Sequence, residues 1–346
     1  MIKNKRFLWL LAAALFSTNL QAQVSRPDDV QVETWMQETN TPSLGIALIE
    51  KGDIIHSKVY GAKSSLPDAS SRLLFNVASV TKSISTYTTL RMVDQGKWTV
   101  EEPLANYWID PDVAGDPNHQ KLNTKHVLTH QTGFKNWRWL TESKKLQFDF
   151  EPGTRTQYSG EGFEYLKKAL EQKFGKSLNE LVSAQVLNFF GMEQSYMVWP
   201  DQIDEQYLAG AYNNEGKLYD PDKRTEAMAS DDLLTTIDDL ATFSLAVMNK
   251  KGISEQLYTE MVSAQAPVKP GIAFGYGWLV FDNLPNGEYA LANFGSDAGV
   301  NAAIVLLPKS KSGLVITTNA DGGRAAVMKA IGSLLGEAGQ SILSRF

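Results

Sequence analysis

Apolar positions alternate or run together at the two ends of this chain and step by three or four in its middle. Near the N-terminal end, "SLGIALIE" and "DIIHSKVYG" are strand-like runs separated by Lys51-Gly52, a hairpin signal. The C-terminal part has the same character, with "AFGYGWLVF", "VNAAIVLLP" and "GLVITTN" split by turn residues before Ala325 to Leu343 reads as a closing helix. Between about Phe75 and Val268 the pattern is mostly helical, as in "GFEYLKKALEQKFG", "SLNELVSAQVLNFFG" and "TIDDLATFSLAVMNKKG", each stopped by glycine. The order predicts an α/β fold of the α+β type. One antiparallel sheet is assembled from residues 23–74 and 269–346, helices flank it, and a mainly helical domain, 75–268, is inserted. No internal repeat interrupts this plan, so one compact unit or two intimate domains is expected.

The first residues have a different pattern: a basic head (Lys3, Lys5, Arg6), an apolar run from Phe7 to Phe16, and a polar stretch ending at Ala22. This reads as a cleavable secretory signal over residues 1–22, which predicts a periplasmic or secreted protein. The run is too short to span a bilayer comfortably, and with no cysteine in the chain there is nothing to acylate, so no stable membrane anchor is expected. Cleavage would take the net charge from −6 to −9, which argues against nucleic acid as a partner. Without disulfides, a large apolar core must carry stability.

Candidate chemistry begins at "FNVASVTKSIS". Val80, Ile84, Tyr87, Leu90 and Val93 form the stripe of an amphipathic helix, with Gly96 as its stop. Ser79 and Lys82 are one turn apart at its opening, where the hydroxyl and the ammonium can meet near a helix N-terminus. Alone, the spacing fits a capping serine and a solvated lysine equally well. A nucleophile also needs a base and an oxyanion hole. The nucleophile elbow G-x-S-x-G is absent, and His56, His119, His126 and His130 are the only histidines that could act as a base. Tyr158, in "YSG" before a helix start, is a second candidate; a phenol is a poor base unless a cation stabilises its phenolate, and Lys82 would be that cation. Such a pair titrates as one unit, which leaves the base open between Lys82 and Tyr158. In "LANFGSDAGV", Gly295 and Gly299 allow close backbone approach, and the amide of Ser296 could join that of Ser79 as an oxyanion hole.

Together these stretches resemble the serine β-lactamase and penicillin-binding protein superfamily, in particular its branch of class C β-lactamases, D-amino-acid peptidases and related esterases. Ser79-Val80-Thr81-Lys82 matches S-x-x-K, Tyr158-Ser159-Gly160 falls at Y-x-N, and Asn293-Phe294-Gly295 falls at K-T-G or H-x-G, in the family's order. "VLTHQTGF", "GYGW" and "DLLTTIDDLATF" resemble lesser signatures of the same group, so the likeness runs from about Thr41 to the end. It implies that Ser79 attacks a carbonyl, that Lys82 and Tyr158 move protons, that the amides of Ser79 and Ser296 hold the oxyanion, and that no metal or cofactor is needed. Gly160, Asn293, Phe294 and Gly295 are then substrate-binding positions for a small molecule or peptide. Two of them depart from the pattern. Gly160 lacks the amide of the usual asparagine, and Asn293 lacks a cation. Arg324 resembles the carboxylate-binding residue of the class C C-terminal helix, although the loop before it is shorter; the other reading is a solvated helix arginine.

The residues leave other readings open. His126 and His130 are four apart, the spacing of a zinc pair, but valine at 127 replaces the glutamate of H-E-x-x-H. The changes at Gly160 and Asn293 would also suit a weak or inactive member that only binds cell-wall peptides, while retention of Ser79, Lys82 and Tyr158 favours an enzyme. A true class C-type β-lactamase is the other alternative. Trp137 and Trp139 either wall the cleft or pack elsewhere.

Overall fold

The computed structural model describes residues 24–346; the signal read at 1–22 lies outside them. Eleven strands form: β1 (Ser43–Glu50), β2 (Asp53–Gly61), β3 (Phe75–Asn76), β4 (Ser195–Tyr196), β5 (Leu234–Thr235), β6 (Ala266–Lys269), β7 (Ile272–Phe274), β8 (Leu279–Phe281), β9 (Ala290–Asp297), β10 (Val300–Leu307) and β11 (Ser312–Thr318). Eight of them make one antiparallel sheet in the order β2-β1-β11-β10-β9-β8-β7-β6, so the N-terminal hairpin pairs with the last strand and the expected closure by the two ends is observed. β10 and β11 are buried along their whole length because both faces of the sheet are covered, which is why they read as continuous apolar runs.

Strand periodicity assigns the two faces to two cores. On β1, Leu44, Ile46 and Leu48 pack with Ile316 and Ile331 on the side of the N- and C-terminal helices, whereas Ala47 and Ile49 pack with Ile84, Tyr87 and Trp278 on the side of the helical region. Covering the first face are helices Asp29–Glu38, Gly323–Leu334 and Gly336–Leu343; the expected single closing helix is two, broken at Gly336 with φ +53°. Among the described residues no helix is long and apolar enough to cross a membrane.

The middle of the chain is less helical than its pattern suggests. Helices Thr81–Asp94, Gly160–Phe174 and Ile237–Met248 form where expected, but β3, β5 and β4 make a small second sheet, and long irregular stretches fold around short turns. Helix Thr81–Asp94 departs from the amphipathic reading, since Thr81 to Met92 are all buried. Three of its hydroxyls bond back along the chain, Thr81 Oγ1 donating to Ala78 O at 2.7 Å, Ser83 Oγ to Val80 O at 2.7 Å and Thr89 Oγ1 to Ser85 O at 2.9 Å, whereas those of Ser85, Thr86 and Thr88 are buried without a partner. The nucleophile candidate therefore sits on a central post rather than on a surface helix.

Candidate active site

Ser79 lies in a tight turn, Ala78–Val80, that leads into this buried helix. The residue before it, Ala78, has φ +46°, a conformation costly for a residue with a Cβ. Local bonds hold it there: the Ala78 amide donates to Asn76 Oδ1 at 2.7 Å, and Asn76 Nδ2 donates to Asp232 Oδ1 at 3.0 Å. Lys82 is 2% exposed. Its Nζ donates to Ser79 Oγ at 3.0 Å and to Ser230 O at 2.8 Å, and it lies 4.9 Å from the centre of the Tyr158 ring. Among the described residues no carboxylate forms a salt bridge with Lys82. The carbonyl of Ser230 is itself held in place, because Glu164 accepts from the Ser230 amide at 3.0 Å and hydroxyl at 2.7 Å.

Tyr158 is half-exposed on the other side of Lys82, and His130 fixes it. The Gln157 amide donates to His130 O at 2.8 Å, the Ser159 amide donates to His130 Nδ1 at 3.1 Å, and the two rings stand 4.4 Å apart. Burial and the nearby Lys82 charge push the imidazole well below its usual pKa, so it is neutral, and its acceptor role at Nδ1 places the proton on Nε2. A zinc pair with His126 does not form. The helix ends at Leu128 and His130 has φ +55°, so the two histidines no longer share a helical face.

The last strand element of the site is β9. A Cβ at Gly295 would lie 2.1 Å from Val77 O and 3.2 Å from Ser79 N, so only glycine lets β9 run against the nucleophile turn. Ser296 follows and lines the cleft with Ser79. The neighbouring expectations need correction. Asn293 is buried and donates from Nδ2 to Gly277 O at 2.8 Å, so its amide ties β9 to the turn beside it rather than facing a ligand. Phe294 points to the opposite face of the sheet, as strand alternation demands, and packs 5.3 Å from Phe346. Gly160 opens helix Gly160–Phe174 beneath the Trp137 indole; a Cβ there would meet Trp137 Cη2 at 3.0 Å, so the space of the missing side chain is filled by tryptophan. Arg324 is exposed at the start of helix Gly323–Leu334 and does not line the cleft.

The cleft at Ser79 has a volume of about 500 Å³. One wall is the Trp137–Trp139 pair, stacked at 4.8 Å and 9°. Arg138 between them is anchored by Glu161 at 2.9 Å and Asp110 at 3.0 Å. The same cleft is lined by Asp231, Asp232 and Asp297, each with a carboxylate oxygen within 4.8 Å of the others. Asp232 is paired with Arg224. Asp231 is 9% exposed, and burial together with the Asp232 charge pushes its carboxyl up to about 7. Sequence reasoning passed over these acids. A signal was present: Asp232 stands at the glycine of the G-L-x-S-T-like segment, and its φ of +70° shows why a glycine suits that position.

A family model described as Beta-lactamase matches residues 30–335. A β-lactamase of Pseudomonas fluorescens is 21% identical over 350 residues, covering 89% of this chain and 96% of that protein. An uncharacterized protein of Alkalihalophilus pseudofirmus is 27% identical over 196 residues, and the match spans only 55% of its length. Among solved structures, the octameric penicillin-binding protein homologue of Pyrococcus abyssi superposes with a TM-score of 0.72 at 21% identity, covering 92% of this chain and 82% of its own.

Proposed function

Since the chain belongs to the Beta-lactamase family, we propose that it is a serine hydrolase that cleaves an ester or amide, a small ester or D-peptide-like substrate, through an acyl-Ser79 intermediate. The observation that carries this reading is the 3.0 Å contact between Ser79 Oγ and Lys82 Nζ beneath Tyr158. As Ser79 Oγ adds to the carbonyl carbon, its proton passes to the Lys82–Tyr158 pair, and the carbonyl oxygen becomes an oxyanion held by the amides of Ser79 and Ser296. Collapse expels the leaving group, which takes the proton back from the same pair. Water then adds to the acyl carbon and the steps repeat with hydroxide in place of the serine oxygen. His130 and Ser230 hold the two proton carriers in register. A periplasmic or secreted location is part of the proposal, supported by the pattern of residues 1–22.

Intact-mass measurement after mixing with activated esters, D-alanyl peptides and β-lactams tests the chemistry. A mass increase equal to the acyl group is expected on the native protein and not on Ser79→Ala. Lys82→Ala should slow acylation by about 10²–10⁴, the usual contribution of general acid–base catalysis. Undiminished labelling of Ser79→Ala would overturn the mechanism.

A further inference from the structure

Both arginines that reach the cleft are already spent. Arg138 is engaged by Glu161, Asp110 and Asp112, and Arg224 by Asp232 and by Asp222 at 2.7 Å. What remains facing the ligand space is anionic. Asp231 is more than nine-tenths buried, and the hydrogen bond it accepts comes from the neighbouring Asp232 amide at 3.0 Å to Oδ1; among the described residues no cation pairs with it. Asp297, exposed on the same wall, forms no salt bridge among the described residues either, and its Oδ1 accepts from the Ala298 amide. A carboxylate that deep, left with an oxygen open to the cleft beside the nucleophile, lacks a partner that a ligand can supply. The stacked indoles of Trp137 and Trp139 line the same cleft, and aromatic rings attract cations and tolerate their apolar substituents.

Resting on the serine-hydrolase reading, we propose that the cleft selects substrates bearing a positive charge, an ammonium or quaternary amine that sits between Asp231 and the Trp137–Trp139 stack while Ser79 attacks the carbonyl. A divalent metal ion suits these acids less well. Calcium takes six to eight oxygens, whereas Asp232 is already occupied by Arg224 and Asn76, leaving Asp231 and Asp297 to supply the rest. The charge of Asp231 also responds to its surroundings: Asp232 and Asp297 raise its pKa, Lys82 and the Asp232 amide lower it, and burial dominates. An incoming cation favours the ionised form, so selectivity for it should fade as pH drops below about 7.

The test uses two p-nitrophenyl esters of equal shape, one of 4-(trimethylammonio)butyrate and one of 5,5-dimethylhexanoate. Their kcat/KM ratio is compared between the native protein and Asp231→Asn, which cancels differences in intrinsic reactivity. The ratio should fall at least tenfold in the variant; an unchanged ratio overturns the proposal. Binding without turnover keeps the outcome readable if hydrolysis fails. Choline should quench or shift the tryptophan fluorescence of Ser79→Ala with a Kd at least tenfold below that of its neutral isostere, 3,3-dimethylbutan-1-ol, and equal affinities would refute cation selection whatever the state of the chemistry. Loss of the cation preference in a chelator, restored by calcium, would also overturn it, by assigning the acids to a metal.

Discussion

Asp231→Asn should stabilise the protein, and should do so only where the carboxyl is ionised in the unfolded chain. The carboxyl is raised from 3.8 to about 7 by burial and by Asp232, a little over three pH units. At about 1.36 kcal/mol per unit, the folded state above pH 7 carries a penalty with a ceiling of about 4 kcal/mol for this one charge. The sign follows from the direction of the shift. Below the ordinary carboxyl value both folded and unfolded chains hold the proton and no penalty exists; between pH 4 and 7 the folded chain keeps a proton that the unfolded chain loses, so stability falls as pH rises. Asparagine has no proton to lose at this position; the raised carboxyl of Asp239 cancels in the difference between the two proteins, and Asp232, relieved of its neighbour's charge, changes the difference in the same direction. With an unfolding entropy of about 2.1 cal/mol/K per residue, 1 kcal/mol corresponds to about 1.5 °C for a chain of this size, and local relaxation should leave half or more of the ceiling. Thermal melts at pH 4.5, 6, 7 and 8 should therefore show a Tm difference of about 1 °C at the acid end that grows to about 3–6 °C at pH 8. A difference that is flat with pH, or largest in acid, would mean that Asp231 is not a desolvated anion, and the cation-selective reading of the cleft would lose its energetic basis.

The same geometry makes other expectations. Cephalosporin hydrolysis should be poor beside that of a p-nitrophenyl ester; a chromogenic cephalosporin kcat/KM near the diffusional range, about 10⁷ M⁻¹s⁻¹ or above, would contradict the view that Gly160 and Asn293 limit lactam recognition. Restoring the family residue with Gly160→Asn should cost about 1–3 kcal/mol by overpacking against Trp137. Melts of the double variant with Trp137→Ala should recover part of that cost, and simple additivity would show that the indole is not the obstacle. His130→Phe keeps a ring under Tyr158 but removes the acceptor of the Ser159 amide. Because His130 positions the proton carrier and touches no substrate, kcat should fall at least tenfold with KM within about threefold; an unchanged kcat would reduce His130 to packing.

The N-terminal hairpin was legible because Lys51-Gly52 names its own turn, and the bounds of β1 and β2 match the runs in the sequence, whereas the run "AFGYGWLVF" is divided between two short strands, β7 and β8. The central helix was misjudged for a physical reason. Threonine and serine look like a polar face in a pattern of apolar positions, yet Thr81, Ser83 and Thr89 satisfy their hydroxyls on backbone carbonyls three or four residues earlier and are buried, and Ser85, Thr86 and Thr88 are buried without a partner. At the site, the spacing of Ser79 and Lys82 was enough to bring them together, because three residues make nearly one helical turn. Asp231 could not be found in this way. Its neighbours in space, Lys82, Asp297 and Ser79, come from distant parts of the chain, and what singles it out is desolvation, which exists only once the cleft has formed. Trp137 over Gly160 is likewise a packing fact, with no signature beyond an aromatic residue near a motif.

Those two classes of residue, the legible and the illegible, divide the labour of the cleft. In the proposed reading Ser79, Lys82 and Tyr158 carry the reaction, whereas substrate charge is read by Asp231 and its surroundings. At position 293 the usual cation is an asparagine whose donor is turned onto Gly277, so nothing there greets a substrate carboxylate. Arg324, the remaining cation in the family's pattern, is exposed outside the cleft. Meanwhile Asp231 and Asp297 add negative charge without a counter-ion of their own. The missing cation at 293 and the acids of the cleft act in the same direction: under the proposed reading each lowers affinity for a carboxylate-bearing ligand and raises it for an ammonium-bearing one. If the cation proposal holds, the charge preference of the cleft is set apart from Ser79 and Lys82, the residues proposed for acyl transfer. A β-lactam carries a carboxylate into this field and should meet repulsion from Asp231 and Asp297 as well as the loss of its usual partners. Ionic strength separates these terms: added salt should raise kcat/KM for an anionic substrate by screening that repulsion and lower it for a cationic one, while leaving a neutral ester unaffected. Parallel salt responses for the three substrates would show that the acids of the cleft are neutralised by something other than the ligand.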